Sequence, residues 1–366
     1  MDHREAAAVK VTIVSIVSFL FVACASSKDQ GIVASSSSPP PQYTGNIESA
    51  VGEGSDLWLV TCIRSCGQQA GRAGTIQMVS SVGSVVTPGY ATPVGAVGVL
   101  AHDGGDLFAL DFSADTVTRL RADTGDVVWT TDLQRVDTQT PGTVFLPEYV
   151  TVSGESVWIS SAAGGIAQLD RATGQLLHVL TLPPESTGDV AWGAGSLWVS
   201  EALAGIWHLT PDGQVTAKVR LTGADGNVLQ VGSVAATPEG VWVTGDWAKP
   251  FVDAQGTSGY EATETFAVGL VDPATNTVVF SADLPQGVAM TVIDDAMWLI
   301  GADGRIVYHA DRSGITPIPL ALETGQQVLA LTSAGVWIAD SDGVISLQPL
   351  PPSPRVQTRV SVEPCR

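Results

Sequence analysis

Acidic side chains close several short apolar runs of this chain: Glu201, Asp246, Asp303 and Asp340, with Asp342 just behind. Carboxylates gathered from separate repeats would offer the hard oxygen ligands that hold Ca2+ or Mg2+. Asp is equally a turn residue that satisfies local backbone amides, and that role needs no ligand. No cofactor is therefore assigned, and Ca2+ or Mg2+ is expected only if these carboxylates converge. A second concentration of chemistry lies in residues 245–266, where Trp247, Phe251, Tyr260 and Phe266 alternate with Asp246, Lys249, Asp253, Glu261 and Glu264. Aromatics mixed with charge suit a glycan, a peptide or a basic ligand; the alternative is an insertion that packs its aromatics inward. Arg64 and Arg135 stand in two other irregular stretches and join Trp247, Lys249, Phe251, Tyr260, Glu261 and Glu264 as candidate ligand contacts. The five histidines, His3, His102, His178, His208 and His309, fall on different runs. HExxH, GxSxG and CxxC are absent from the sequence, so no catalytic residue is assigned.

Strands must position these residues. Seven apolar runs carry an aromatic at one place: Trp58, Phe108, Trp158, Trp198, Trp242, Trp298 and Trp337, at intervals of 50, 50, 40, 44, 56 and 39 residues. A strand-built repeat of this length signals radial repetition. Residues 189–221 show the unit, four short runs rich in β-branched and aromatic residues, broken by Gly-Ala-Gly, Ala-Leu-Ala-Gly and Pro-Asp-Gly. The third turn recurs at Gly125, Gly174, Gly213, Asn276 and Gly314, residue types that accept positive φ. The expected fold is all-β: a seven-bladed β-propeller with blades at 46–92, 93–134, 145–183, 187–223, 230–284, 287–324 and 327–363. The lead aromatics are expected to wedge each blade against its neighbour. Blade 7 takes its fourth strand from 355–362 (RVQTRVSV) or from an N-terminal segment such as 31–35.

Innermost strands that run from face to face alternate the connections. First-to-second and third-to-fourth turns share one face, and the remaining connections share the other. The long irregular stretches 62–73, 87–95, 133–148 and 245–266 all fall on the second face, where a rigid scaffold would present function.

Net charge is about −20, from 37 acidic against 17 basic residues. Nucleic acid and anionic membrane surfaces would be repelled, whereas cations and basic peptides would not. Residues 11–23 form an apolar stretch too short to span a bilayer and suited to a signal peptide. Its end, Phe21-Val22-Ala23-Cys24, resembles a bacterial lipobox, which implies lipidation of Cys24; a secretory signal cleaved near Ala23 or Ala25 is the alternative. The Ser/Pro-rich stretch that follows reads as a spacer. The expected plan is a lipoprotein signal at 1–23, a tether at 24–45 and a propeller at 46–363. Of the remaining cysteines, Cys62–Cys66 would tie one loop, whereas Cys365 bonded to either would clasp blade 7 to blade 1; both pairings stay open.

The pattern Gly195-Ser-Leu-Trp-Val-Ser-Glu201 and Gly240-Val-Trp-Val-Thr244, followed by Val271-Asp-Pro-Ala-Thr-Asn276, resembles the repeats of streptogramin lyase (virginiamycin B lyase)-like and YVTN-type propellers. That resemblance covers about residues 46–363 and implies the fold. Lyases of that family use a histidine base and a Mg2+ near the channel; no histidine here stands at a matching place, so the activity is not carried over. Blade 2 is also similar to the PQQ-type repeat of quinoprotein dehydrogenases and of the outer-membrane assembly lipoprotein, a likeness confined to one blade. The function expected from the sequence is a lipid-anchored, extracytoplasmic, monomeric scaffold. It would bind an envelope protein, peptide or glycan, without nucleic acid and without catalysis. A metal-assisted lyase or hydrolase at the channel mouth is the alternative.

Overall fold

The computed structural model describes residues 46–62, 74–82, 85–95, 97–136, 144–182, 188–201, 205–237, 240–252, 258–284, 287–293, 296–302 and 304–350. Blade 1 is β1 (Asn46–Glu53), β2 (Asp56–Cys62), β3 (Gly74–Val82) and β4 (Val85–Val94). Blade 2 is β5 (Val97–Asp103), β6 (Asp106–Asp111), β7 (Thr116–Arg121) and β8 (Val127–Asp132). Blade 3 is β9 (Pro147–Ser153), β10 (Ser156–Ser161), β11 (Gly165–Asp170) and β12 (Leu176–Thr181). Blade 4 is β13 (Val190–Gly193), β14 (Ser196–Glu201), β15 (Gly205–Leu209) and β16 (Val215–Val219). Blade 5 is β17 (Val228–Ala236), β18 (Val241–Val252), β19 (Ser258–Asp272) and β20 (Thr277–Leu284). Blade 6 is β21 (Gly287–Ile293), β22 (Ala296–Gly301), β23 (Ile306–Asp311) and β24 (Gly314–Pro319). Blade 7 contributes β25 (Gln327–Thr332), β26 (Gly335–Ala339) and β27 (Ile345–Gln348). Each sheet is an antiparallel meander in chain order, so the expected seven-bladed propeller is the observed fold.

The lead aromatics sit on the second strand of every blade and are buried, from 0 to 5% exposed. Each belongs to an apolar cluster shared with the following blade. Trp58 meets Val97 and Leu107, Phe108 meets Phe145 and Val157, and Trp158 meets Val190 and Leu197. Trp198 meets Leu229 and Val241, Trp242 meets Met297 and Leu299, and Trp298 meets Leu331 and Val336. Trp337 closes the circle against Leu57 and Leu59. Burying a large aromatic at each seam is the principal apolar term holding the blades together. The closing seam also carries Thr332, whose Oγ1 donates to the Gly54 carbonyl at 2.6 Å.

A second contact repeats at the outer rim, where the third turn of one blade rests on the fourth strand of the blade before it. The Thr92 hydroxyl donates to the Gly125 carbonyl at 3.1 Å and the Thr131 hydroxyl to that of Gly174 at 2.7 Å. A Cβ on Gly174 would fall 2.8 Å from the Trp129 ring, and one on Gly213 would fall 2.3 Å from Leu180, while φ is 72° and 83°. Glycine is required there twice over, by backbone conformation and by proximity.

Two expectations about irregular stretches are corrected. Residues 87–95 lie mostly within β4, an outermost strand whose free edge accepts Pro88 and Pro93 without losing a ladder bond. Residues 245–266 are chiefly strand, the outer halves of β18 and β19. The signal segment, the tether, Cys24 and the run 355–362 lie outside the described residues.

Candidate functional site

β18 and β19 pair from Val241↔Val271 to Val252↔Ser258, well past the end of their neighbours. β17 leaves β18 at Ala248, and β20 leaves β19 at Phe266. Residues 249–252 and 258–265 therefore stand above the blade as a two-stranded ribbon on the long-loop face. A bulge between Asp246 and Ala248 bends the strand where the ribbon leaves the sheet. Pro250 has no N–H, so it blocks strand addition along the β18 edge.

The base of the ribbon is fixed. Trp247 is 8% exposed and packs with Leu221 and Leu229, and its indole N–H donates to Asp283 Oδ1 at 2.7 Å. The Thr263 hydroxyl donates to the Trp247 carbonyl at 2.8 Å. Trp247 thus belongs to the blade core, and the expectation that it contacts a ligand is replaced by a supporting role. Phe266 likewise turns inward, onto the cluster between blades 5 and 6.

The tip is presented. Phe251 is 44% exposed and Val252 68% exposed. Phe251 lies opposite Gly259, and a Cβ on that glycine would meet the ring at 2.6 Å, so the ring rests on bare backbone. Lys249 and Glu261 are exposed and directly opposed, Tyr260 is half-buried opposite Pro250, and the Glu264 side chain lies outside the described ones. Arg135 projects into solvent elsewhere on this face, paired with Asp132 at 3.3 Å, while Arg64, Cys66, Asp303 and Cys365 lie outside the described residues. Cys62 ends β2 on this face.

The remaining acidic candidates do not meet as a ring. Glu201 is buried and salt-bridged to Lys218 Nζ at 2.6 Å. Asp246 sits within β18 opposite Gln230 rather than at a strand end, and burial raises its pKa. Asp340 caps its own turn, its Oδ1 accepting from the Asp342 and Val344 amides at 2.9 Å each. Among the described residues no three His, Cys, Asp or Glu side chains form a metal-binding group.

Three of the described histidines pack on lead tryptophans. His102 stacks on Trp58 at 4.4 Å and His208 on Trp198 at 4.0 Å, while His309 meets Trp298 edge-on at 4.7 Å. His208 Nδ1, on the third strand of blade 4, also pairs at 2.7 Å with Asn276 Oδ1 in the third turn of blade 5, and burial lowers the His309 pKa. His178 is exposed on β12.

Two polar features escaped the sequence reading. Between blades 2 and 3, on the tight-turn face, a cavity of about 270 Å³ is lined by Asp106, Arg119, Gly154, Glu155, Arg171 and Ala172. Arg171 pairs with Asp103 and, at 2.9 Å, with Asp106, which also binds Arg119 at 2.8 Å. Burial would raise the Asp106 carboxyl, but hydrogen bonds and charge from both arginines outweigh it and hold the pKa low. This is the seam led by Phe rather than Trp, and the Arg171 guanidinium lies 5.9 Å from the Phe108 ring. The ion pairs add a polar contact to the apolar cluster that Phe108 shares with Phe145 and Val157 between these two blades. The second feature lies at the inner end of blade 4, where Asp189 Oδ1 accepts from the Val190 amide at 2.9 Å and Oδ2 from the Val234 amide of blade 5 at 3.0 Å. Part of this residue remains open, yet enough protein surrounds the carboxyl that desolvation, with the nearby Glu148 charge, pushes its pKa up to about 7 against the pull of both amides.

Among solved structures, the chain is similar to the Neurospora crassa Pan2 WD40 domain at 10% identity and TM-score 0.56, covering 84% of this chain and 90% of that one. It is similar to the WD40 β-propeller domain of Doa1 at 13% identity and TM-score 0.55, covering 85% and 94%. The computationally designed protein Ika8 matches at 14% identity and TM-score 0.53, covering 84% and 98%. At such identities the likeness speaks for the fold. No family model and no curated protein sequence matches the chain.

Proposed function

We propose that this propeller is a binding scaffold that captures a protein or peptide on its long-loop face, with the blade 5 ribbon as the principal contact. The observation that carries the reading is Phe251, a large apolar side chain left 44% exposed and laid over Gly259 at the end of a ribbon whose base is anchored through Trp247 and Asp283. An aromatic that is already ordered loses little entropy on binding, which is what makes such residues effective anchors. The net charge of −20 favours a partner of basic surface. Lipidation of Cys24 would hold the body at the extracytoplasmic face of a bacterial membrane, on the tether 24–45. The lyase-like reading draws no support from the described residues, because no histidine lies beside Glu201, Asp246 or Asp340.

The test is a displayed-peptide selection against the folded body. Selected peptides are expected to be basic and to lose about 30-fold in affinity on Phe251→Ala, the size of a binding hot spot, while the melting temperature stays unchanged. Peptides that bind the variant as well as the parent would sink the assignment. Metabolic labelling with a fatty acid, abolished by Cys24→Ser, tests the anchor.

A further inference from the structure

Blade 7 is the one blade with three described strands, and its outer strand β27 shows a backbone edge that faces no described partner. We infer that residues 355–362 pair antiparallel with β27 as the fourth strand of this blade and cover the closing seam of the ring. The inference stands apart from the ribbon on blade 5.

Four observations carry it. The first is the path of the chain. In blades 2 to 4 the third and fourth strands are joined by turns that rest on the preceding blade. Beyond β27, Leu350 packs against the cluster of Trp298, Ile300 and Ile318, so the chain has already turned back onto blade 6 as the other hairpins turn onto theirs. The second is length. Residues 122–126, 171–175 and 210–214 join the two strands in blades 2, 3 and 4, and 349–354 would do so here. The third is pattern, because Val356, Thr358, Val360 and Val362 share one face of an extended segment and Arg355, Gln357, Arg359 and Ser361 the other. The fourth is the gap itself. In blades 2 to 4 the residues of the third turn rest on the fourth strand of the blade before; in blade 1, Val82 at the start of that turn is 78% exposed. The space beside it is where the fourth strand of blade 7 would run.

An uncovered strand edge recruits other chains, and pairing it internally removes that hazard. The occupant is the chain's own segment, because it follows β27 directly and its closure entropy is that of a short hairpin.

Amide hydrogen exchange on the full chain gives the first test. The amides of 356–362 and of β27 are expected to exchange together, as slowly as those of β12 in blade 3; exchange of 356–362 at the rate of an unstructured peptide would overturn the inference. The second test is a melt of single variants. Val360→Lys, on the apolar face, is expected to lower the melting temperature by at least about 5 °C, and Ser361→Lys by less than about 1 °C; equal effects would overturn it. A chain ended at Leu350 is expected to melt lower and to self-associate, and both defects are expected to be reversed by a peptide of residues 353–364 but not by its scrambled form. A truncated chain that melts like the full one and stays monomeric would show that another segment, such as 31–35, covers the edge.

Discussion

Blades 5 and 7 depart from the repeat in opposite directions. Blade 5 has strand to spare, with β18 and β19 running to 12 and 15 residues, while blade 7 has three described strands and a β27 of four residues. Their inner halves nevertheless match. Trp242 and Trp337 hold the same position on the second strand and bury against the next blade in the same way. The inner strands of a propeller are constrained from both sides by neighbouring blades, and the outer ends are not. Variation therefore gathers where it leaves the seams intact, as an added ribbon in one blade and a short third strand in the other.

The largest expected effects test the shared half. Trp242→Ala and Trp337→Ala are each expected to cost about 3–5 kcal/mol in denaturant unfolding, the usual range for emptying a buried tryptophan site. A cost below about 1 kcal/mol at Trp337 alone would break the comparison, since the closing seam would then lie outside the common core. Next comes the base of the ribbon. Trp247→Ala removes a buried indole and leaves Asp283 without its donor, and about 2–3 kcal/mol is expected. Phe251→Ala, four residues on, is expected to stay within about 0.5 kcal/mol as an exposed site. Similar costs at the two positions would mean that the ribbon packs as a unit and has no free tip.

How much of this was legible follows from what each feature depends on. The lead aromatics and the blade count could be read because one residue type recurs at one position in each unit. The ribbon could not be read as strand, since Pro250 and Gly259 are turn formers in isolation; both are tolerated because they lie beyond the reach of β17 and β20, where no third strand needs their hydrogen bonds. The packing role of Trp247 depended on Asp283, 36 residues away. The stacking of His208 on Trp198 depended on cross-strand register, which spacing alone leaves open. Asp189 sits in an irregular stretch, and only the three-dimensional fold brings it to the Val234 amide of blade 5.

That carboxyl gives the third test, at the inner end of blade 4 where it meets blade 5. Its folded pKa, about 7, lies above the ordinary carboxylate value, so the native state holds its proton more tightly than the unfolded chain does. Stability from this group is complete below about pH 4, falls as pH rises towards 7 and is flat beyond. Asp189→Asn keeps a neutral acceptor at all pH. The melting temperature of the variant relative to the parent is expected to rise between pH 4 and 7 and then level off, by roughly 1–2 kcal/mol equivalent, since the partly open site is screened. A difference that does not change with pH would show that the carboxyl titrates normally and that the blade 4 to blade 5 stitch is an ordinary turn contact.

The smallest change in stability is expected where the consequence for binding is sharp. In Gly259→Ala the new Cβ would lie 2.6 Å from the edge of the Phe251 ring, so the ring must swing off the backbone that supports it. A flexible side chain at an exposed tip can make that move at little cost, and a stability change under about 0.5 kcal/mol is expected. The peptides selected on the parent are nevertheless expected to bind about tenfold more weakly, because the apolar surface is still present but no longer held in place. Unchanged binding in Gly259→Ala together with loss in Phe251→Ala would assign the ring a role through its area alone. Loss in both would tie the function of the ribbon to its geometry, which is the property that separates the surplus strand of blade 5 from a loop of the same length.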